Sequence, residues 1–137
     1  MLWQFDVCIG YTPIGDEPDF SIFLKAQGVS ADIIRLPATR ENDPLVAATE
    51  LVTAHAGKKV CILIPGRRFD GAGTRHGRGG GWYDRFLSAI PREWLRVGVL
   101  NPNQLSTRHL KRESWDEPMD VLLIKEKMDW AVLPVKN

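Results

Sequence analysis

Glycine and arginine are concentrated in one short segment of the chain. Seven of the 12 glycines fall between Gly66 and Gly81, and residues 66–85 hold five arginines against two aspartates. Glycines let a backbone approach a ligand closely and adopt positive φ angles. Arginine presents a planar guanidinium that can hold a phosphate through two parallel hydrogen bonds. The segment therefore has the composition of a phosphate-binding site, the alternative being a flexible surface loop with solvated arginines.

The position of this segment supports the first interpretation. It follows a continuous apolar run at residues 60–64 and precedes a predicted helix at residues 82–90. Ligands of open parallel sheets bind at the carboxyl ends of strands, where a helix N-terminus attracts anions. The two common phosphate-loop patterns are both absent, however. No lysine lies between Lys59 and Lys111 to complete a Walker motif, and Trp82 stands at the third glycine position of a Rossmann motif.

The rest of the chain alternates between predicted strands and helices. Strands are predicted at residues 3–9, 31–36, 60–64, 96–100 and 121–124, a weaker one at 130–133, and helices at 16–27, 44–56 and 82–90. This alternation predicts an α/β fold whose mainly parallel sheet has helices on both faces. We expect one domain over residues 1–137, with a polar loop at 37–44. Cys8 and Cys61 lie in apolar runs without CxxC spacing, which predicts reduced core residues.

The composition argues against several classes of protein. Lys and Arg total 18 and Asp and Glu total 17, so the net charge is +1. That balance is not typical of a dedicated nucleic-acid binder or a polybasic membrane-surface protein. No stretch approaches the roughly 20 apolar residues of a membrane helix, and residues 1–10 carry no basic residue of a secretory signal. We therefore expect a cytoplasmic protein with neither nucleic-acid nor membrane partners.

A long gapless pattern covers the glycine segment, and two shorter patterns flank it. The long one reads Pro65-Gly-x-x-Phe69-Asp70-x-x-Gly73-x-Arg75-x-Gly77-Arg78-Gly79-Gly80-Gly81-x-Tyr83-Asp84-Arg85-Phe86-Leu87. The shorter ones are Tyr11-x-Pro13-x-x-x-Glu17-x-Asp19 and Trp115-Asp116-x-x-Met119-Asp120-Val121. Together, and in this order, they resemble the 5-formyltetrahydrofolate cyclo-ligases, also called methenyltetrahydrofolate synthetases. The resemblance covers nearly the whole chain.

The resemblance implies a three-layer αβα domain of the NagB/RpiA/CoA-transferase-like kind and a specific reaction. Members convert 5-formyltetrahydrofolate to 5,10-methenyltetrahydrofolate with ATP as co-substrate and Mg²⁺ as cofactor, releasing ADP and phosphate. The formyl oxygen takes the γ-phosphate, and ring closure then expels phosphate. The implied partners are ATP and a reduced folate, and the implied assembly is a monomer or homodimer. Arg75 and Arg78 match catalytic positions, and the implied ATP-binding residues are Arg75, Gly77, Arg78, Gly79, Gly80, Gly81, Trp82 and Tyr83.

Other site residues follow from the same resemblance. Asp84 and Asp116 match the family's Mg²⁺ ligands, which are the hard oxygen donors that this ion prefers. Glu17 matches a residue that contacts the pterin, and Tyr83 has a flat face for stacking on it. Plainer interpretations stay open. Asp84 is an acid favoured in the first turn of a helix, Asp116 a solvated loop acid, Glu17 a helix-entry acid and Trp82 a core aromatic.

The chain also departs from the family pattern. No basic residue precedes Lys25, so we expect the family's basic N-terminal helical segment to be absent. Arg67 and Arg68 stand where the family usually has apolar or small residues. One hypothesis is that they replace the missing cations at ATP, and the alternative is that they touch only water. Two other functions stay open: a catalytically silent nucleotide- or folate-binding paralogue, and an ATP-dependent enzyme with another substrate.

Overall fold

The computed structural model describes residues 3–36 and 42–135. The helices are α1 (Phe20–Ala26), α2 (Pro44–Ala54) and α3 (Trp82–Ser88). The strands are β1 (Val7–Gly10), β2 (Asp32–Arg35), β3 (Val60–Ile64), β4 (Arg68–Asp70), β5 (Arg75–His76), β6 (Leu95–Leu100), β7 (Leu105–Ser106), β8 (Val121–Lys125) and β9 (Trp130–Pro134). Among these described residues, no helix combines the length and the apolar character that a membrane crossing requires.

The main sheet has six strands in the order β2-β1-β3-β6-β8-β9. All neighbours are parallel except β9, which runs antiparallel to β8. All five residues of the central strand β3 are buried, as expected for an apolar strand with helices on both faces of its sheet. The predicted α/β fold with a mainly parallel sheet is confirmed.

The helices cover both faces of the sheet. Helix α1 packs Phe20 and Phe23 against one face, together with the buried Cys8 and Cys61. Helices α2 and α3 pack against the other face through a second core, to which Phe86 belongs. The molecule therefore has three layers. Cys8 and Cys61 are free thiols at paired positions of β1 and β3, as predicted for core cysteines.

Some predicted element boundaries were wrong in an informative way. The helix predicted from residue 16 begins at Phe20, because the Asp19 side chain accepts a hydrogen bond from Ser21 N at 3.0 Å and caps it. Glu17 is therefore in the loop between β1 and α1 and not in the helix. Helix α3 ends at Ser88, two residues earlier than predicted. Within the predicted loop at 37–44, residues 37–41 lie outside the described residues.

A second sheet of three short strands, β5-β4-β7, was not predicted. The buried Asp70 organises it, because its carboxylate accepts hydrogen bonds from the amides of Ala72, Thr74 and Leu110 at 3.0, 2.9 and 2.7 Å. Burial alone would raise the pKa of Asp70, but these three bonds hold it below its usual value. The pairing of β4 with β5 fixes both ends of the turn at residues 71–74, which lies within the glycine segment.

Candidate active site

A cavity of about 750 Å³ opens at the carboxyl ends of β1 and β3. This volume lies within the range of roughly 300–1,000 Å³ typical of small-molecule sites. Its lining comes from three separate stretches of the chain, namely the loop after β1, residues 65–84 and the loop before β8. The lining residues are Tyr11, Thr12, Ile14, Glu17, Pro65, Gly66, Arg67, Arg75, His76, Gly77, Arg78, Gly79, Gly81, Trp82, Tyr83, Asp84, Trp115 and Asp116.

Arg75 is a buried cation in the wall of this cavity. It is only 7% exposed, its Nε donates to Pro65 O at 2.6 Å, and its Cζ lies 4.9 Å from the centre of the Tyr83 ring. Within the described residues, no carboxylate forms an ion pair with it. Its two terminal nitrogens are therefore available to an anion in the cavity.

The surroundings of Arg75 keep it charged. Burial lowers the pKa of its guanidinium, and the charges of Asp84, Asp116 and Glu17 act in the opposite direction. An arginine remains protonated at neutral pH even after such a shift. The cavity therefore contains a permanent positive charge with two unused donor nitrogens, which is the chemistry that binds phosphate oxygens in two places at once.

The glycines next to Arg75 have two separate roles. At Gly77, an added Cβ would lie 3.1 Å from Nη2 of Arg75, so the absence of a side chain makes room for the guanidinium. Gly79, Gly80 and Gly81 have φ angles of 103°, 77° and 65°, a region in which other residues are strained. These three glycines therefore form the tight turn that enters α3.

Glu17 and Arg78 were predicted to contact different ligands, and the structure pairs them with each other. Glu17 Oε2 lies 3.5 Å from Arg78 Nη2, and Glu17 Oε1 accepts a hydrogen bond from Ile14 N at 3.0 Å. The Glu17 side chain is 8% exposed and that of Arg78 is 57% exposed. Both residues line the cavity, but Arg78 differs from Arg75 because its charge already has a partner.

Asp84 and Asp116 also line the cavity. Asp84 Oδ1 accepts a hydrogen bond from Glu117 N at 3.3 Å, and Asp116 Oδ2 accepts one from Glu113 N at 2.8 Å. Burial raises the pKa of Asp84, and the negative charge of Asp116 adds to this effect. The two carboxylates are therefore near enough to influence each other.

The carboxylates of Asp84 and Asp116 fit Mg²⁺ only if a phosphate ligand supplies further oxygen donors. No group of three or more His, Cys, Asp or Glu side chains that could hold a metal occurs in the part of the chain that the structure describes. Mg²⁺ usually takes one or two carboxylates, several waters and the phosphates of a substrate. Asp84 and Asp116 supply two carboxylates in one cavity, so they could hold the ion beside a bound nucleotide.

The aromatic residues divide between core and cavity. Trp82 stacks on Phe86 with ring centres 5.2 Å apart, and its Nε1 donates to Asn42 O at 2.8 Å, so it contributes to the core as well as lining the cavity. Burial raises the pKa of Tyr83 to about 12, so this phenol is neutral. Trp115 lines the cavity with 67% of its surface exposed. Its motif did not predict this place in the cavity.

The two extra arginines differ in position. Arg67 lines the cavity, whereas Arg68 is exposed on β4 and is not part of the lining. Of the two arginines that were hypothesised to replace missing cations at the nucleotide, only Arg67 is therefore placed where it could contact one. Tyr11, Thr12 and His76 also line the cavity without having been predicted as site residues. Tyr11 and Thr12 reach the glycine segment only in the folded chain, whereas His76 lies within that segment.

Comparisons with known proteins identify the family and the fold of the chain. The model of the 5-formyltetrahydrofolate cyclo-ligase family matches residues 21–125. A curated 5-formyltetrahydrofolate cyclo-ligase of Mycoplasma genitalium is 32% identical over 63 residues, which are 46% of this chain and 37% of that protein. The match thus spans little more than a third of the curated relative's length.

Two solved structures share the fold. The 5,10-methenyltetrahydrofolate synthetase of Mycoplasma pneumoniae aligns with a TM-score of 0.54 at 21% identity, over 86% of this chain and 72% of that one. The NMR structure of the Aquifex aeolicus 5,10-methenyltetrahydrofolate synthetase aligns with a TM-score of 0.62 at 22% identity, over 97% of this chain and 73% of that one. Because the family model matches more than half of its residues, this chain belongs to the 5-formyltetrahydrofolate cyclo-ligase family.

Proposed function

We propose that the protein converts 5-formyltetrahydrofolate to 5,10-methenyltetrahydrofolate, using ATP with Mg²⁺ and releasing ADP and phosphate. The observation that carries the proposal is the guanidinium of Arg75, which is buried in the cavity wall and has no ion pair with any described carboxylate. Burying a cation without a counter-ion is costly. Such a group is expected where a ligand supplies the negative charge, and membership of an ATP-using family makes a nucleotide phosphate the best candidate.

The protein's task in this reaction is to position two substrates and to neutralise charge. The formyl oxygen attacks the γ-phosphorus of ATP and ADP leaves. N10 of the folate then attacks the formyl carbon and loses its proton, and the C–O bond to phosphate breaks as the ring closes. Arg75 would donate to the transferring phosphate through Nη1 and Nη2. Bound Mg²⁺, held by Asp84 and Asp116, would reduce the negative charge on the phosphate oxygens.

Glu17 and Arg78, which pair with each other in the structure, would each exchange this contact for one with a substrate. A carboxylate such as that of Glu17 can accept two hydrogen bonds from the aminopyrimidine edge of a pterin. When Glu17 does so, Arg78 would lose its present partner and become available to the phosphates. Tyr83 remains neutral and packs against Arg75, where it would support the guanidinium. The glycine run, including Gly77, Gly79, Gly80 and Gly81, would approach the phosphates with its backbone.

Turnover of 5-formyltetrahydrofolate with Mg-ATP, followed by the absorbance of the methenyl product, tests the proposal. Asp84→Asn should abolish product formation, whereas Asp32→Asn, at an exposed carboxylate of β2, should retain it. Product in both wild type and the control variant, but not in Asp84→Asn, would support the reaction. No product from wild type that still binds ATP would overturn the reaction in favour of a silent paralogue or another substrate.

The remaining parts of the proposal concern the setting of the reaction. The partners are the small molecules ATP and reduced folate, without nucleic acid, and the enzyme acts in the cytoplasm as a monomer or homodimer. Sedimentation under assay conditions measures the assembly state. A larger active assembly would contradict this part without affecting the reaction itself.

A further inference from the structure

Arg96 is a second buried arginine, and it lies outside the cavity lining. It belongs to β6 and is 2% exposed. Its Nη2 donates to Leu87 O at 3.1 Å, and its Nη1 lies 3.5 Å from Glu117 Oε2. The contact with Glu117 is close enough for an ion pair but lacks hydrogen-bond alignment. Nε and Nη1 find no hydrogen-bond partner within the described residues.

Stability alone does not account for an arginine at this place. Removing a guanidinium from water is costly, and two nitrogens of Arg96 recover no hydrogen bond from the described part of the chain. Well-packed apolar residues in place of a buried ion pair are often neutral or stabilising. The pair of Arg96 and Glu117 is therefore better explained by the segments of the chain that its contacts hold together.

The two groups that the Arg96 guanidinium contacts belong to the two segments that carry the cavity carboxylates. Leu87 is in α3, three residues after Asp84, while Glu117 directly follows Asp116. In addition, the backbone amide of Glu117 donates to Asp84 Oδ1 at 3.3 Å. One guanidinium thus ties the helix bearing one carboxylate to the loop bearing the other.

We propose that Arg96, acting through Glu117, is a positioning residue that sets the relative placement of the Asp84 and Asp116 carboxylates in the cavity. The proposal rests on the proposed function for its binding readout, because those two carboxylates are the candidate Mg²⁺ ligands. Partners that orient metal ligands typically change metal affinity by about 10–100-fold when removed. The same range is expected here.

A paired apolar replacement separates positioning from stability. Arg96→Met alone would leave a carboxylate without its partner, so the test variant combines Arg96→Met with Glu117→Leu. We expect its melting temperature to remain within about 5 °C of wild type. The Mg²⁺ concentration that half-saturates ATP binding should rise at least tenfold. Binding of inorganic tripolyphosphate without metal should change less than threefold, because Arg75 is untouched.

Arg92→Gln is the matched control. It removes the ion pair of Arg92 with Asp120, 3.1 Å apart on the surface, and leaves the Arg96 guanidinium with its contacts to Leu87 and Glu117. Its Mg²⁺ dependence should equal that of wild type. A folded double variant with wild-type Mg²⁺ dependence would overturn the positioning role. If Arg92→Gln changed the Mg²⁺ dependence as much as the double variant does, the positioning role would also be overturned. Loss of any nearby positive charge would then be enough to weaken Mg²⁺ binding.

Hydrogen exchange distinguishes failure of this inference from failure of the proposed function. It is measured without ligand, on peptides covering residues 113–119. If wild type does not bind Mg-ATP, the proposed function fails and exchange alone decides about Arg96. Exchange at least fivefold faster in the double variant than in wild type or Arg92→Gln would support the tie between α3 and this loop. Unchanged exchange would contradict it.

Discussion

Replacing Arg75 by methionine should weaken nucleotide binding strongly while leaving the protein folded. The Nε of Arg75 is already bonded to Pro65 O, so only Nη1 and Nη2 can serve a phosphate. Hydrogen bonds to charged groups contribute about 1.5–3 kcal/mol each. Two of them give about 3 kcal/mol at the lower limit, which corresponds to a loss of affinity of roughly 100-fold or more.

The effect of the same substitution on stability is a balance of opposing contributions. Methionine removes the bond to Pro65 and the contact with the Tyr83 ring, which together are worth about 2–5 kcal/mol. It also removes a buried cation without a counter-ion, whose desolvation costs several kcal/mol. These contributions nearly cancel, so the free energy of unfolding should change by less than about 2 kcal/mol.

Calorimetric titration with Mg-ATP and urea unfolding of the unliganded protein measure the two quantities separately. Arg68→Met is the matched control, because it removes the same charge from an exposed position of β4 outside the cavity. We expect its affinity and its stability to resemble those of wild type. Affinity within threefold of wild type in Arg75→Met would refute the role in phosphate binding. A loss of stability above about 4 kcal/mol would show that the arginine is primarily structural.

Three further changes test the site and its support. Gly77→Ala should weaken ATP binding about tenfold by displacing the buried guanidinium, whose Nη2 would lie 3.1 Å from the new Cβ. Gly71→Ala, where an added Cβ meets nothing within 4 Å, should leave the affinity for ATP unchanged. If calorimetry gave the two alanine variants the same affinity for ATP, the reasoning about Gly77 would be contradicted. Arg67→Ala should weaken ATP binding several-fold and Arg68→Ala should not, since only Arg67 lines the cavity; equal effects of the two would reject this role for Arg67. Asp70→Asn should cost about 2 kcal/mol in urea unfolding at pH 7, through its three amide bonds. Because the folded pKa of Asp70 is lowered, its contribution is present above the usual pKa of about 3.9 and is lost as the pH falls through the folded value. The difference from wild type should therefore shrink at pH 3, and an undiminished difference there would contradict the assignment.

The strands of the main sheet could be predicted from the sequence because burial on both faces leaves a simple signal. Residues 60–64 are all apolar, and the structure buries each of them in β3. The second sheet leaves no such signal, because its strands have only two or three residues. Asp70 holds that sheet through amides as distant as that of Leu110. No local pattern predicts a bond between residues so far apart in the chain.

The candidate site could be predicted as a group of residues but not as an arrangement of charges. Arg75 and Arg78 are three residues apart in one motif and look equivalent in the sequence. In the structure, Arg75 is 7% exposed and has no ionic partner among the described residues. Arg78 has a mostly exposed side chain and pairs with Glu17, which comes from a different loop. The difference arises from tertiary packing, so only the folded chain reveals which arginine is free.

The same packing changes the electrostatic character of the site. The glycine segment taken alone is strongly basic, but the folded cavity also receives carboxylates from the loop after β1 and the loop before β8. Its ionised side chains are balanced in sign: Arg67, Arg75 and Arg78 against Glu17, Asp84 and Asp116. A purely basic pocket would bind any polyanion, whereas here the carboxylates repel a phosphate chain that lacks a cation. The balance therefore favours a ligand that carries both signs, such as a nucleoside triphosphate with its divalent cation. Arg75, which forms no ion pair with a described residue, gives the phosphate chain one fixed point of attachment.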